Sequence, residues 1–280
     1  MPNTFMPTIE THILDIDRAE IPPKPSGAKR VLLFSDLHLG VFPRLSQMLN
    51  KRFLGAFNHL FRRRNRLRAD NISRLAELRT QIMPDITICA GDLGSVGLPE
   101  EFELAMKTLE PFTGDSFFYV PGNHDAYVCD SMPCVKDAIK RLNGGRWDSD
   151  KAVMSLNCKG LQLTLINAAR PVPYHLSCGV IDSRMQEDLS GVSRDGAGVS
   201  LAVCHFPAIE KDGSLVGWRH GLRGASFMRE MLSNGRFDAI LSGHTHRPYT
   251  FFFPDGGTQV CCGSLTLHNS FAVCDMHLDT

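Results

Sequence analysis

Aspartate, asparagine and histidine recur in this chain in five short groupings: Asp36-Leu37-His38, Gly91-Asp92, Gly122-Asn123-His124-Asp125, His205 and Gly243-His244-Thr245-His246. Carboxylate oxygens and imidazole nitrogens suit divalent ions such as Mn, Fe or Zn. In Asp-x-His and His-x-His, both side chains can come from one turn and converge on one point. The glycines before Asp92, Asn123 and His244 permit tight turns and close backbone approach. Two ions held roughly 3.5–4 Å apart need a bridging carboxylate or hydroxide, a geometry that serves phosphoryl chemistry. A single histidine or aspartate of this kind is most often a structural hydrogen-bonding residue. All five groupings in this order, each behind a strand pattern, point to a metal centre.

The elements that must position these residues are short apolar runs. Val31–Phe34, Ile86–Cys89, Phe117–Val120, Leu201–Cys204 and Ala239–Leu241 each precede one grouping. Further runs lie at Leu161–Ile166, Tyr249–Phe253, Thr258–Cys262 and Phe271–Val273. Continuous apolar runs read as strands buried on both faces, and strand ends are where such sheets carry ligand-binding loops. Helical spacing appears at Pro99–Leu109, where proline suits the first turn, and at 184–190 and 224–233. Strands alternating with helices early and dominating late predict a layered α/β architecture. Residues 1–29, with Pro22, Pro23 and Pro25, read as a lead-in, since proline interrupts helices and central strands.

The segment 44–83 reads as a helical insert or cap. Met48, Leu49, Phe53, Ala56, Phe57, Leu60 and Phe61 recur at helical steps, followed by Arg62, Arg63, Arg64, Arg66 and Arg68. A second helix is expected from Asn71, as N-cap, to Gln81. The plain reading is a hairpin packed on the core with solvated arginines. The functional one is a cap, or a surface for anionic groups or membranes.

Bulk properties narrow the class. The chain has 280 residues, 43% hydrophobic and 21% charged, with 30 basic and 30 acidic residues and so no net charge. It can bury a core, expected as one domain over 1–280, and has no overall bias toward nucleic acid or anionic membrane. The nine cysteines contain no C-x-x-C pair, and read as reduced, mostly buried thiols. The acidic, polar start does not resemble a signal peptide, and no run approaches the ~18 apolar residues of a membrane span. A cytoplasmic protein is expected.

These groupings resemble those of the calcineurin-like metallophosphoesterase superfamily, over residues 31 to about 275. The segments Ala90-Gly91-Asp92-Leu93 and Pro121-Gly122-Asn123-His124-Asp125 look most like the bacterial cyclic-nucleotide phosphodiesterase branch. The resemblance implies a four-layer αββα sandwich of two mixed sheets flanked by helices, with the site at one end. It implies that Asp36, His38 and His246 hold one metal, that Asn123, His205 and His244 hold a second, and that Asp92 bridges them. His124 then faces the substrate phosphate together with Asn123. The phosphoprotein phosphatases carry Gly-Asp-x-x-Asp-Arg-Gly and Gly-Asn-His-Glu; here Ser95 stands at the second acid and Asp125 ends the other motif. The lipid A pathway pyrophosphatases have arginine where this chain has His124. With no acid at residue 95, what orients His124 is open; Asp125 is one candidate and is counted with His124 as catalytic.

The expected reaction is attack of hydroxide on phosphorus in a small-molecule phosphodiester or phosphomonoester, a cyclic nucleotide among them, with His124 protonating the leaving oxygen. The competing readings are a non-catalytic metal-binding scaffold, which would be expected to lose ligands, and a nuclease or membrane-associated phosphohydrolase using the insert. The arginine run lacks the interleaved aromatic residues that stacking on single strands favours, so nucleic acid is not expected as a partner. Peripheral membrane contact has no further support in the sequence. His175, His220, Arg170 and Arg223 are weaker candidates for substrate contact. Substrate, native metals and oligomeric state are not legible.

Overall fold

The structure is a computed structural model that describes residues 7–44, 47, 51–53, 66–194 and 198–277. A five-stranded sheet has the spatial order β1 (Ile9–Asp15), β13 (Ser270–Met276), β2 (Lys29–Phe34), β3 (Ile86–Cys89), β4 (Phe117–Tyr119). Within it β2, β3 and β4 are parallel, and β13 is antiparallel to both β1 and β2. A six-stranded sheet has the order β11 (Tyr249–Phe252), β12 (Thr258–Cys261), β10 (Ala239–Ser242), β8 (Val199–Cys204), β6 (Leu161–Ile166), β5 (Val153–Cys158). Its four inner strands are parallel, and its two edges antiparallel. A short parallel pair, β7 (Gly179–Val180) and β9 (Leu222–Arg223), lies apart. The described helices are α1 (Asp70–Ile82), α2 (Pro99–Leu109), α3 (Met132–Leu142), α4 (Ser183–Ser190), α5 (Ala225–Ser233) and α6 (Leu265–His268).

The apolar runs form strands because both of their faces are covered. Val31, Leu32, Leu33 and Phe34 are all fully buried, as are Leu201, Ala202 and Val203 in the other sheet. Both sets belong to one contiguous buried cluster, so the two sheets share a core. In α2, Pro99 fills the first turn and Phe102, Ala105 and Leu109 turn inward. Glu101, itself buried, accepts hydrogen bonds from Val96 N and Leu98 N at 3.0 and 3.1 Å, satisfying donors that precede the helix.

Several expectations need correction. The lead-in is not wholly peripheral: Ile9–Asp15 completes the sheet against β13. Asn71 caps no helix; it is buried inside α1, and its amide donates to Leu265 O at 2.9 Å and Asn269 Oδ1 at 2.8 Å, tying α1 to the end of the chain. Helix α3 and strand β5 were not anticipated. In α3 the signal was present, since Val135, Ala138, Ile139 and Leu142 are its buried face at helical steps. In β5 the polar Ser155 and Asn157 break the apolar run, because an edge strand is covered on fewer sides. The first helix of the insert falls largely outside the described residues, with Phe53 described and exposed.

Candidate metal centre

Every grouping lies just past the C-terminal end of a parallel strand: Asp36 and His38 after β2, Asp92 after β3, Asn123 and His124 after β4, His205 after β8, His244 and His246 after β10. Parallel strands bring those ends to the same side, so five loops distant in sequence meet at one rim of the two sheets. The close approach explains the glycines. A Cβ on Gly122 would overlap the Asp92 carboxylate, and one on Gly243 would overlap Ser35 and Asp36.

Asp36, His38, Asp92 and His246 each offer a ligand atom, and these atoms lie within 4.8 Å of one another. His246 Nε2 is 3.0 Å from Asp36 Oδ1 and 3.0 Å from His38 Nε2. His38 Nε2 is 4.0 Å from Asp92 Oδ2, and His205 Nε2 is 3.4 Å from that same oxygen. The His205 and His244 rings are 5.1 Å apart. Asp36 Oδ1, Asn123 Oδ1 and His205 Nε2 are buried with no hydrogen-bond partner among the described residues. Such orphaned acceptors at one locus fit a cation.

The outward nitrogens are already engaged. His205 Nδ1 donates to Ala90 O at 2.6 Å and His244 Nε2 to His220 O at 2.6 Å. Carbonyl acceptors fix those protons, leaving His205 Nε2 and His244 Nδ1 as lone-pair nitrogens, as metal-binding imidazoles require. His124 Nδ1 likewise donates to Ser95 O at 2.6 Å. The group that orients His124 is thus a backbone carbonyl and not Asp125.

Asp125 has a different place. It is fully buried, and its carboxylate accepts from Asp92 N, Leu93 N, Gly122 N and the Tyr119 hydroxyl at 2.8–2.9 Å, and from Gly94 N at 3.3 Å. It clamps the β3 loop to the β4 loop. These donors occupy both of its oxygens, so in place of the expected role of orienting His124 it positions the two loops.

Electrostatics agree with a cation. Burial opposes charge on Asp36 and Asp92, but facing imidazoles win. His246 foremost holds Asp36 well below the usual carboxylate range, and His205, then His124, holds Asp92 down. Burial likewise opposes an imidazolium at His205, yet Asp92 pushes it up to about 9. The carboxylates therefore draw positive charge into the cluster.

A cavity of about 360 Å³ opens over the centre, lined by Asp92, Asn123, His124, His244 and His246 together with Ser177, Glu210, His220 and Arg247. Of the weaker candidates only His220 borders it. His175 and Arg223 do not line it, and Arg170 is directed to Val180 O and Asp182. Arg247 was overlooked, although it directly follows His-x-His.

Two mixed sheets sharing a core, with a His/Asp cluster at their strand ends, define a metallohydrolase-like sandwich. The family model of calcineurin-like phosphoesterases matches residues 29–248, and the chain belongs to that family. It is 26% identical over 183 residues to a probable cyclic nucleotide phosphodiesterase of Pseudoalteromonas sp. (strain SM9913), a match spanning 65% of this chain and 63% of that relative. In fold it resembles a dimetal phosphatase from Danio rerio, with 13% identity, a TM-score of 0.60, and 88% and 91% of the two chains covered. A protein of Thermus thermophilus is similar at 10% identity and a TM-score of 0.52, covering 85% and 90%. No described helix is long and apolar enough to cross a membrane.

Proposed function

We propose that this chain uses a pair of divalent ions to hydrolyse a phosphodiester or phosphomonoester of a small molecule, with cyclic nucleotides the first class to try. The observation that supports a pair is the location of Asp92, one carboxylate oxygen of which is near a ligand candidate of each set, 4.0 Å from His38 Nε2 and 3.4 Å from His205 Nε2. Asp36, His38 and His246 are assigned to one ion, Asn123, His205 and His244 to the other, and Asp92 to both. The similarity to a probable cyclic nucleotide phosphodiesterase supports the substrate class. Mn, Fe and Zn all suit this donor set, and a cytoplasmic setting agrees with the many free thiols.

When bound, such cations polarise a phosphoryl oxygen and make hydroxide available near neutral pH. The residues supply the rest. The Asp92, Asn123 and His124 loops, clamped by Asp125, orient the phosphate. His124, with Nδ1–H donated to Ser95 O, would pass a proton to the departing oxygen through Nε2. Arg247 at the cavity wall matches the charge and planarity of a phosphate edge.

The test is hydrolysis of bis-p-nitrophenyl phosphate, phosphomonoesters and cyclic nucleotides by metal-stripped protein reloaded with Mn, Fe or Zn. Metal-dependent turnover that a chelator removes is expected. Silence across all substrates and metals overturns the proposal.

A further inference from the structure

Beside the metal cavity lies a second hollow of about 530 Å³, of opposite character. Its walls are mostly rings and aliphatic groups, from Tyr127, Val128, Pro171, Val172, Pro173 and Tyr174, with the Cys129 thiol and Lys51 completing them. Two links join the residues that line the two spaces. On one side the His124 and Tyr127 rings stack with centroids 5.6 Å apart and planes inclined 21°, His124 facing the metal cavity and Tyr127 the hollow. On the other, Ser177 faces the metal cavity, while its chain neighbour Leu176 accepts a hydrogen bond from Lys51 Nζ at 3.5 Å at the border of the hollow.

The chemistry of the hollow selects its occupant. Among the described residues its one cationic wall residue, Lys51, is already committed: Nζ donates to Val172 O at 3.3 Å and to Leu176 O, and stands 4.5 Å above the Tyr127 ring. No other described residue lining it carries a charge, so a second phosphate would be buried there against a single cation whose donors are largely engaged. A flat apolar group meets none of that cost. Tyr174 stands at the rim with 72% of its surface exposed, an aromatic plate that a planar group can cover.

We infer that this hollow is a specificity subsite that takes a planar aromatic arm of the phosphoester, such as a nucleobase, while the phosphate sits in the metal cavity. The inference rests on the phosphoesterase reading for the place of the phosphate. Tyr174 and Val172 determine the preference, and Tyr127 joins the two spaces by backing His124.

The probes are adenosine 5′-monophosphate and ribose 5-phosphate, which differ only in the base. Their binding to the Mn-loaded protein is measured by titration calorimetry in wild type, Tyr174→Ala and Val172→Asp, with circular dichroism to verify folding. Stacking of one base predicts an adenosine 5′-monophosphate advantage of about tenfold or more in wild type. That advantage should fall to within about twofold in both variants, while ribose 5-phosphate affinity holds. Equal binding of the two compounds by wild type, binding of neither, or a preference that both variants retain, overturns the subsite. Hydrolysis of bis-p-nitrophenyl phosphate is followed in parallel. Silence there and on phosphomonoesters and cyclic nucleotides with every metal would sink the catalytic reading, while the binding ratio still judges the hollow.

Discussion

The two halves of the metal centre are built on different backbone. Asp36, His38, Asp92 and His246 all lie in the left-handed region, with φ of 57°, 46°, 56° and 57°. Of the other half, Asn123 and His205 have ordinary backbone and only His244, at φ 72°, is left-handed. Non-glycine residues there cost of order 1–3 kcal/mol each and persist only where the surroundings impose them. The difference follows from spacing. Asp36 and His38 are two residues apart, as are His244 and His246. In a strand such side chains point the same way but stay parallel, and in a helix they diverge. Convergence on one point demands a contorted turn. Asn123 and His205 come singly from separate strands and need no such turn. Strain therefore gathers at the two turns that each carry a pair of these side chains and at Asp92, where the Asp125 clamp offsets it with hydrogen bonds to three successive backbone amides of the β3 loop, Asp92, Leu93 and Gly94.

The comparison can be broken at the one residue that both halves share. Asp92→Ala should clear metal from both positions and reduce phosphodiester hydrolysis below detection. Elemental analysis that still found two ions per chain would remove Asp92 from the bridge. His124 belongs to neither half, so His124→Ala should retain both ions while turnover drops ~10²–10⁴-fold, as loss of general acid help predicts. Full turnover of that variant on substrates with poor leaving groups would refute its acid role.

A smaller effect is expected from Asp125→Asn. The amide would turn N–H donors toward backbone N–H groups that now find an acceptor. Metal affinity should weaken by roughly 10–100-fold, as for other residues that orient ligands, and unfolding should become easier by about 1–3 kcal/mol. Wild-type metal affinity, measured by competition with a chelating dye, would show that the strained loop holds itself. The smallest effect separates strain with a ligand from strain without one. Met83, exposed at the end of α1, also has φ of 50°. Met83→Gly should raise stability by up to about 1 kcal/mol in denaturant unfolding with no change in metal content. Destabilisation there would mean that left-handed backbone in this fold is not a local cost.

Much of the centre was legible because its signals are local. Asp36, His38, Asp92, Asn123, His124, His205, His244 and His246 each follow an apolar run, and a strand buried on both faces writes its hydrophobicity in consecutive letters. The parts that were missed have no such signature. His124 is oriented by the carbonyl of Ser95, and His244 by that of His220; a backbone carbonyl is present at every residue and marks none. Asp125 drew notice for its chemical type, but whether a carboxylate faces substrate or five donors is a matter of packing. The β1 strand was hidden because Thr11 and His12 are polar and β1 lies at a sheet edge.

By itself, then, the sequence determined the candidate metal ligands, the strands that carry them and the family to which they belong, since residue type and periodicity are properties of neighbouring positions. Tertiary structure alone decided that one Asp92 oxygen is within 4.0 Å of two histidines 167 positions apart in the chain (His38 and His205), that Asp125 became a clamp, and that an apolar hollow lies behind the His124 ring. Those outcomes depend on how two sheets bring separate strand ends to a common rim, and distances across that rim are set by the packing of the shared core rather than by any one segment.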